Sequence, residues 1–324
     1  MTPVQTLWPE QNINDHHNHS HKKTVNTSDP NVTIFHTPAS VEQSPSSQPK
    51  RIANVQCHVR TRIPSEYSDI PHSLLLYTND VDNEEHLALV FGYEYSADPG
   101  AGLWSRSLEK PIESESERDR YIRGAVPLAD LDASPTPELE SSSVASSPST
   151  SDQPPLARIH SCCFTGETLG SVRCDCREQL VEAMKQMGRE GRGVILYLIQ
   201  EGRGIGLREK MKAYNLIDRG YDTEQANLEL GHLADARSYL VASAILRDLQ
   251  IPSVRLLTNN PHKMNSMAAD GVVVSERVPM IPASWSFGGD GSDRDGYLVT
   301  KVRKMGHILD IPEELLKVSK FEGQ

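Results

Sequence analysis

Residues 177–206 read REQLVEAMKQMGREGRGVILYLIQEGRGIG, and three kinds of local structure follow one another in them. In REQLVEAMKQMGREG, Leu180, Met184 and Met187 recur at helical spacing and share one face. GVILYLI (193–199) is a continuous apolar run, short enough for a buried strand. QEGRGIG is a glycine-rich turn, and LREKMKAYNLIDRG (207–220) resumes a helical pattern. Outward from this unit the alternation continues. RIHSCCF (158–164) and SVRC (171–174) read as strand pieces, ARSYLVASAILRDL (236–249) as a helix, SVRLLT (253–258) as a strand, PHKMNSMAADG (261–271) as a helix and GVVVSERVPM (271–280) as a strand. Upstream, VQCHVRTRIP, HSLLLYTN and EEHLALVFGY read as strands separated by turn signals at Pro64, Pro71 and Asn79. This rhythm predicts an α/β fold: a layered αβα domain with a mixed, largely buried sheet.

The 324 residues are 37% hydrophobic, which leaves part of the chain unpacked. Residues 1–50 are rich in Ser, Thr, Asn, Pro and His and cannot bury enough apolar area to offset ordering entropy, so they read as a disordered tail. The histidines at His16, His17, His19 and His21 could bind a metal, although a biased tail of this kind is usually just solvated. A second low-complexity stretch, about 132–155, reads as a surface insertion in a domain spanning 51–311, and residues 312–324 as a peripheral tail. The formal net charge of −11 argues against a general nucleic-acid binder. No apolar run is long enough to span a bilayer or to form the core of a signal peptide, so no membrane partner is expected. Five clustered cysteines do not make a secreted disulfide framework, and a reducing, cytoplasmic (or nuclear) location is expected.

Four of the five cysteines fall within the fifteen residues CCFTGETLGSVRCDC, 162–176. In an extended segment Cys174 and Cys176 share a face, with Arg173 and Asp175 opposite. TGETLG supplies a turn that returns Cys163 to them. Three thiolates suit zinc, and three ligands with an open fourth position mark a catalytic site. The same spacing also fits a structural site closed by Cys162 or His160, or buried thiols with no metal. Cys57 stands alone and reads as a core residue. Three thiolates and one Zn²⁺ sum to −1, a weaker Lewis acid than a three-histidine site, so nearby cations matter; Arg158 and Arg173 are the near candidates in sequence.

Three polar connections accompany the cluster. In QEGRGIGLREK, Gly202, Gly204 and Gly206 permit close backbone approach ahead of a helix N-terminus, where Arg203 and Arg208 favour an anion; a tight strand-to-helix connection explains the glycines equally well. In LLTNNPHK, Thr258 ends a strand and Lys263 opens a helix, a usual place for ligands, although Asn259 or Asn260 could simply cap it. In GHLADARSY, Asp235 and Arg237 flank a helix start, where an Asp is commonly a cap.

Together RIHSCCFTGETLGSVRCDC, QEGRGIGLREKMKAYNLIDRGYDTEQAN, DARSY and RLLTNNPHK resemble the GTP cyclohydrolase II family in order and spacing, over roughly Val55 to Leu309. TRIP and EEHLALVFG resemble its fungal form. The resemblance implies an enzyme of riboflavin synthesis that opens the imidazole ring of GTP and releases formate and pyrophosphate. It implies zinc on Cys163, Cys174 and Cys176, Mg²⁺ with the triphosphate, and a homodimer. It places Arg158, Ile159, His160, Ser161, Cys162, Gln179, Glu201, Gly202, Arg203, Thr223, Thr258 and Lys263 around GTP. Tyr214 then lines the site, Asp235 accepts a proton and Arg237 is the nucleophile. A charged guanidinium is a poor nucleophile, so Arg237 reads equally as a cation that stabilises charge at the α-phosphate. The chain departs from the family pattern at Cys162, where Glu is usual, at Arg177, where Gly is usual, and at Ile199, where Arg is usual. These departures leave room for a relative acting on another nucleotide, or for a nucleotide-binding regulator with structural zinc.

Overall fold

The run GVILYL is the central strand of a seven-stranded sheet in the computed structural model, which describes residues 52–92, 105–128, 153–281, 301–303 and 306–311. The tail 1–50, the tail 312–324, and the insertion apart from its last three residues lie outside the described residues. In chain order the strands are β1 (Val55–Ser65), β2 (Ser68–Asn79), β3 (His86–Phe91), β4 (Leu156–Ser161), β5 (Gly193–Leu198), β6 (Ser253–Leu257) and β7 (Val273–Val278). The helices are α1 (Arg106–Glu109), α2 (Glu117–Arg123), α3 (Phe164–Glu167), α4 (Cys176–Glu190), α5 (Leu207–Ile217), α6 (Thr223–Glu229), α7 (Leu240–Asp248) and α8 (Pro261–Ala269). A 3-10 turn, Glu201–Gly204, separates β5 from α5.

The sheet order is β1-β2-β3-β5-β4-β6-β7. Its first half is antiparallel, through β3 against β5, and its second half is parallel. β4 and β5 pair from Leu156 opposite Gly193 to Ser161 opposite Leu198, so their C-terminal ends stop level. The chain leaves β4 toward β5 on one side and returns to β6 on the other. The site grows at this reversal of strand order, where open α/β sheets bind ligands.

Period-two alternation assigns the two faces of the sheet. Val194, Leu196 and Leu198 join Ala157, Ile159, Val254 and Leu256 in one core, closed by Val241, Ile245 and Leu246 of α7. Ile195 joins Leu156, Leu257 and Phe91 in the other, closed by Ala183, Met184 and Met187 of α4, with Leu180 packed at its edge. Helices on both faces of a mixed sheet are the αβα layering the sequence predicts. No helix among the described residues is long and apolar enough to cross a membrane.

Several local expectations are corrected. SVRC is not a strand: residues 171–175 turn, and the helix begins at Cys176. The helix predicted from Ala236 starts at Leu240 with Tyr239 as N-cap, so Asp235 and Arg237 sit in an irregular connection and Asp235 is not a cap. Pro64 and Pro71 lie inside β1 and β2. Pro64 is tolerated because β1 is an edge strand with a register shift between Ile63 and Ser65, and Pro71 lies just beyond the first β2–β3 pair, His72 with Phe91. The sequence pattern does not mark the helices α1 and α2, because beside one core leucine, Leu108, their buried side is charged: Glu109 and Arg120 are both nearly inaccessible and Arg60 of β1 pairs with Glu109 at 3.2 Å.

Leu196 is fully buried at the centre of the sheet, so Leu196→Ala is expected to cost about 2–5 kcal/mol in urea unfolding. Replacing the exposed Tyr121 by Ser should change stability by no more than about 0.5 kcal/mol.

Candidate active site

Cys163 lies two residues beyond β4 and heads the short helix α3; Cys174 lies in the turn that follows; Cys176 is the first residue of α4. Their three Sγ atoms lie within 4.8 Å of one another, and Cys163 Sγ is 3.6 Å from Cys174 Sγ. Zinc–sulfur bonds of about 2.3 Å in a tetrahedron put sulfurs about 3.8 Å apart. The donor set and its spacing therefore fit zinc. Gly166 makes the closure possible. A Cβ on it would stand 2.8 Å from Cys174 Sγ and 3.3 Å from Cys163 Sγ, so a bare backbone is needed where α3 meets the thiols. Neither candidate fourth ligand joins the group. His160 Nε2 bonds Glu167 Oε1 at 2.8 Å, and Glu167 Oε2 accepts from Tyr197 Oη at 2.6 Å. Burial and the charge of Glu201 push the Cys162 thiol up to about 12.

The cation beside the thiols is one the sequence reading missed. Lys210 Nζ is 3.3 Å from Cys163 Sγ, 2.9 Å from Thr165 Oγ1 and 2.7 Å from Glu201 Oε1. Burial opposes its charge, but the hydrogen bond to Glu201 and the neighbouring Cys163 raise the ammonium above the usual lysine range. Hydrogen bonds from Cys174 and Cys176, with Lys210 alongside, push Cys163 well below an ordinary thiol; donating those bonds pushes the other two up. A signal existed in the sequence, since Lys210 shares a helix face with Ala213 and Tyr214. Arg208, by contrast, is exposed. Tyr214 Oη lies 3.1 Å from Thr165 Oγ1, and its ring carries Arg173 at 5.0 Å and Lys210 at 5.6 Å. Arg173 also pairs with Asp218 at 2.7 Å. Glu201 Oε2 accepts from Phe164 N at 2.8 Å and so ties the loop after β5 to the loop after β4.

A second set of groups surrounds the same end of the sheet. Gly202 and Arg203 both adopt left-handed backbone, with φ of 62° and 63°. Such strain at a non-glycine residue persists only where neighbours impose it. Here Ala236 N donates to Arg203 O at 3.0 Å, and Arg203 Nη1 to Ala234 O at 3.2 Å. Asp235 grips Arg237 through Oδ1, which accepts from Nε at 2.8 Å, and through Oδ2, which accepts from Nη2. Burial works against the charge of Asp235, but Arg237 holds its carboxyl below the usual range. Arg158 is buried, donates to Leu257 O at 2.9 Å and to Gln179 Oε1, and stands within electrostatic reach of Cys176, Asp175, Tyr239 and Arg237. Lys263 Nζ donates to Ile159 O at 2.7 Å over the ring of Tyr239. Burial, then the charges of Arg158, Arg237 and Lys301, push Lys263 well below the usual lysine range.

Arg158, Arg203, Arg237 and Lys263 thus gather near Asp235, while Lys301 is paired with Asp175. Such a concentration of buried and half-buried cationic side chains, whose charge burial and mutual repulsion oppose, suits a polyanion. Arg158 Nε, His160 Nδ1, Ser161 Oγ, Gln200 Oε1 and Tyr239 Oη are buried without a protein partner on the segments that converge there, as expected of groups that meet a ligand. Thr258 Oγ1 accepts from Asn260 N at 3.0 Å and Asn260 caps α8, so the capping reading of that connection holds. Thr223 opens α6 outside this network. Arg177 is exposed, and Ile199 N donates to His86 Nδ1 at 3.0 Å.

Fold and site together define an α/β protein able to hold a thiophilic metal ion beside a polyanion. The sequence model of the family described as GTP cyclohydrolase II matches residues 138–279. The GTP cyclohydrolase-2 of the yeast Meyerozyma guilliermondii is 46% identical over 282 residues, 82% of this chain and 82% of that protein. That of Saccharomyces cerevisiae is 44% identical over 294 residues, 81% of this chain and 82% of its own length. The riboflavin biosynthesis protein RibBA of Bacillus subtilis is 49% identical over 158 residues, 49% of this chain and 38% of that protein. The chain belongs to the GTP cyclohydrolase II family of enzymes.

Because a side chain at Gly166 would push into the thiol group, Gly166→Ala is expected to weaken zinc binding at least about tenfold in chelator competition, with circular dichroism unchanged.

Proposed function

We propose that this chain hydrolyses GTP, opening the imidazole ring to give formate, pyrophosphate and 2,5-diamino-6-(5-phosphoribosylamino)pyrimidin-4(3H)-one, the first step of riboflavin biosynthesis. The observation that carries the proposal is the convergence of a three-thiol group and a cluster of cationic side chains at one end of the sheet, bridged by Arg158. Cys163, Cys174 and Cys176 would hold one zinc ion, which when bound supplies Lewis acidity toward water. Mg²⁺ would accompany the triphosphate, and the working form would be a cytoplasmic homodimer.

The chain's own residues then divide the work. Arg203 and Lys263, with Arg158, bind and orient the triphosphate. Lys210 balances the charge of the Cys163 thiolate, and its bonds to Thr165 and Glu201 fix that balance in place. Tyr214 lines the thiol side of the site through Thr165 and Lys210. The two-point grip of Asp235 supports a permanently charged Arg237. We therefore assign Arg237 to stabilising charge at the α-phosphate as water attacks, rather than to forming a covalent bond itself. Asp235 holds the guanidinium in position and is the nearby base for the proton released.

Purified protein incubated with GTP and zinc is expected to release formate and pyrophosphate, and removal of the metal by a chelator to abolish formate. One tightly bound zinc without formate would instead indicate a regulator, and formate from another nucleotide only would move the substrate assignment. Arg237→Lys keeps the charge but loses the fork, so pyrophosphate release is expected to fall about 100-fold with zinc retained. Near-full release by this variant would contradict the role given to Arg237.

A further inference from the structure

The described C-terminal residues lie against the ends of the parallel strands. Ile308 N donates to Asn259 O, just past β6, at 2.8 Å, and Arg277 Nη1 of β7 donates to Ile308 O at 3.3 Å. His307 N donates to Lys301 O at 3.1 Å. From this segment Lys301 Nζ reaches Asp175 Oδ1 at 3.3 Å. The Asp175 side chain is 1% exposed and that of Lys301 14%, so a carboxylate in the protein interior meets an ammonium supplied from more than a hundred residues away.

That pair begins a directed chain of hydrogen bonds. Gln179 Nε2 donates to Asp175 Oδ2, which leaves Gln179 Oε1 to accept from Arg158 Nη2. Arg158 Nη1 is held by Leu257 O at 2.9 Å. An ionised carboxylate only accepts, and a guanidinium only donates. With Asp175 ionised, the Gln179 amide has one orientation that satisfies both neighbours; reversed, it would set acceptor against acceptor and donor against donor. The guanidinium is thereby fixed at two points, while its Nε, buried and without a protein partner, stays available to a ligand. His307 belongs to the same surroundings: burial, then the charges of Lys301, Lys263, Arg237 and Arg203, push its imidazole down to about 3.

We propose that Lys301 is a positioning residue of the nucleotide site, which orients Arg158 through Asp175 and Gln179. The inference rests on the GTP-hydrolysing reading given above. Lys301 itself need not touch the nucleotide. Its ammonium, 3.3 Å from Asp175 Oδ1, holds the carboxylate in place, Asp175 Oδ2 accepts from the Gln179 amide, and the amide oxygen fixes the guanidinium.

The experiment compares wild type with Lys301→Met, Lys301→Arg, Gln179→Ala and the double variant Lys301→Met/Gln179→Ala, each as the full chain with zinc. Thermal melting and zinc content are recorded beside steady-state kinetics with GTP. Lys301→Met is expected to raise KM for GTP about tenfold, with kcat within about threefold and one zinc per chain retained. Lys301→Arg should recover KM to within about threefold. In the Gln179→Ala background the Lys301→Met change should add less than about twofold, because the relay is already broken. An unchanged KM in Lys301→Met, or a loss of kcat and melting temperature at constant KM, overturns the proposal. Multiplying effects in the double variant overturn it too, since they would place Lys301 directly on the nucleotide. If wild type neither binds nor turns over GTP, the functional reading fails and this inference falls with it; if wild type is active and Lys301→Met matches it, the inference alone fails.

Discussion

A buried ammonium persists in a protein only when acceptors surround it, and Lys210 meets that condition with groups from two different loops. Cys163 and Thr165 follow β4, while Glu201 follows β5. Because β4 and β5 end level, the two loops start side by side, and one ammonium on the first turn of α5 reaches both. Glu201 completes the tie by accepting from Phe164 N at the head of α3. The position of Cys163, and with it the thiol group, therefore depends on a charge forty-seven residues further along the chain.

The same register organises the other half of the site. Alternation along β4 sends Ala157 and Ile159 into the α7 core and Leu156 into the α4 core. Arg158 and His160 follow Leu156 to the α4 side, where Arg158 meets Gln179. The strained turn at Gly202 and Arg203 is held against Ala234 and Ala236, which brings the Asp235–Arg237 pair up to the strand ends. The three-thiol group and the cation cluster are thus both placed by the level ends of two central strands and the loops that their register aligns.

Much of this was legible in the residues. The face of Leu180, Met184 and Met187 and the apolar run of β5 identify the layers, because period and length separate a covering helix from a buried strand. The cysteine spacing identified the three thiols, although the geometry that joins them is a turn and a helix start rather than a strand. What stayed hidden depends on tertiary pairing. Lys210 and Asp175 sit in polar runs that any solvated surface would show, and only folding reveals them as buried. Glu109 is buried against Arg60 of β1, and Arg120 against Glu109 and Glu115, so α1 and α2 carry little apolar pattern. The connection of Lys301 to Asp175 spans 126 residues, and no local period encodes it. Cys162 is the place where sequence alone left the chemistry most open, since a fourth thiol adjoins the three; burial and the charge of Glu201 push its thiol up to about 12.

The distinction between an open three-thiolate site and a closed four-thiolate one decides the chemistry, and X-ray absorption at the zinc edge of the fully loaded protein measures it directly. Three sulfur atoms at about 2.3 Å with one lighter atom at about 2.0 Å are predicted. Four sulfur neighbours, with Cys162 completing the shell, would contradict a catalytic centre built on Cys163, Cys174 and Cys176.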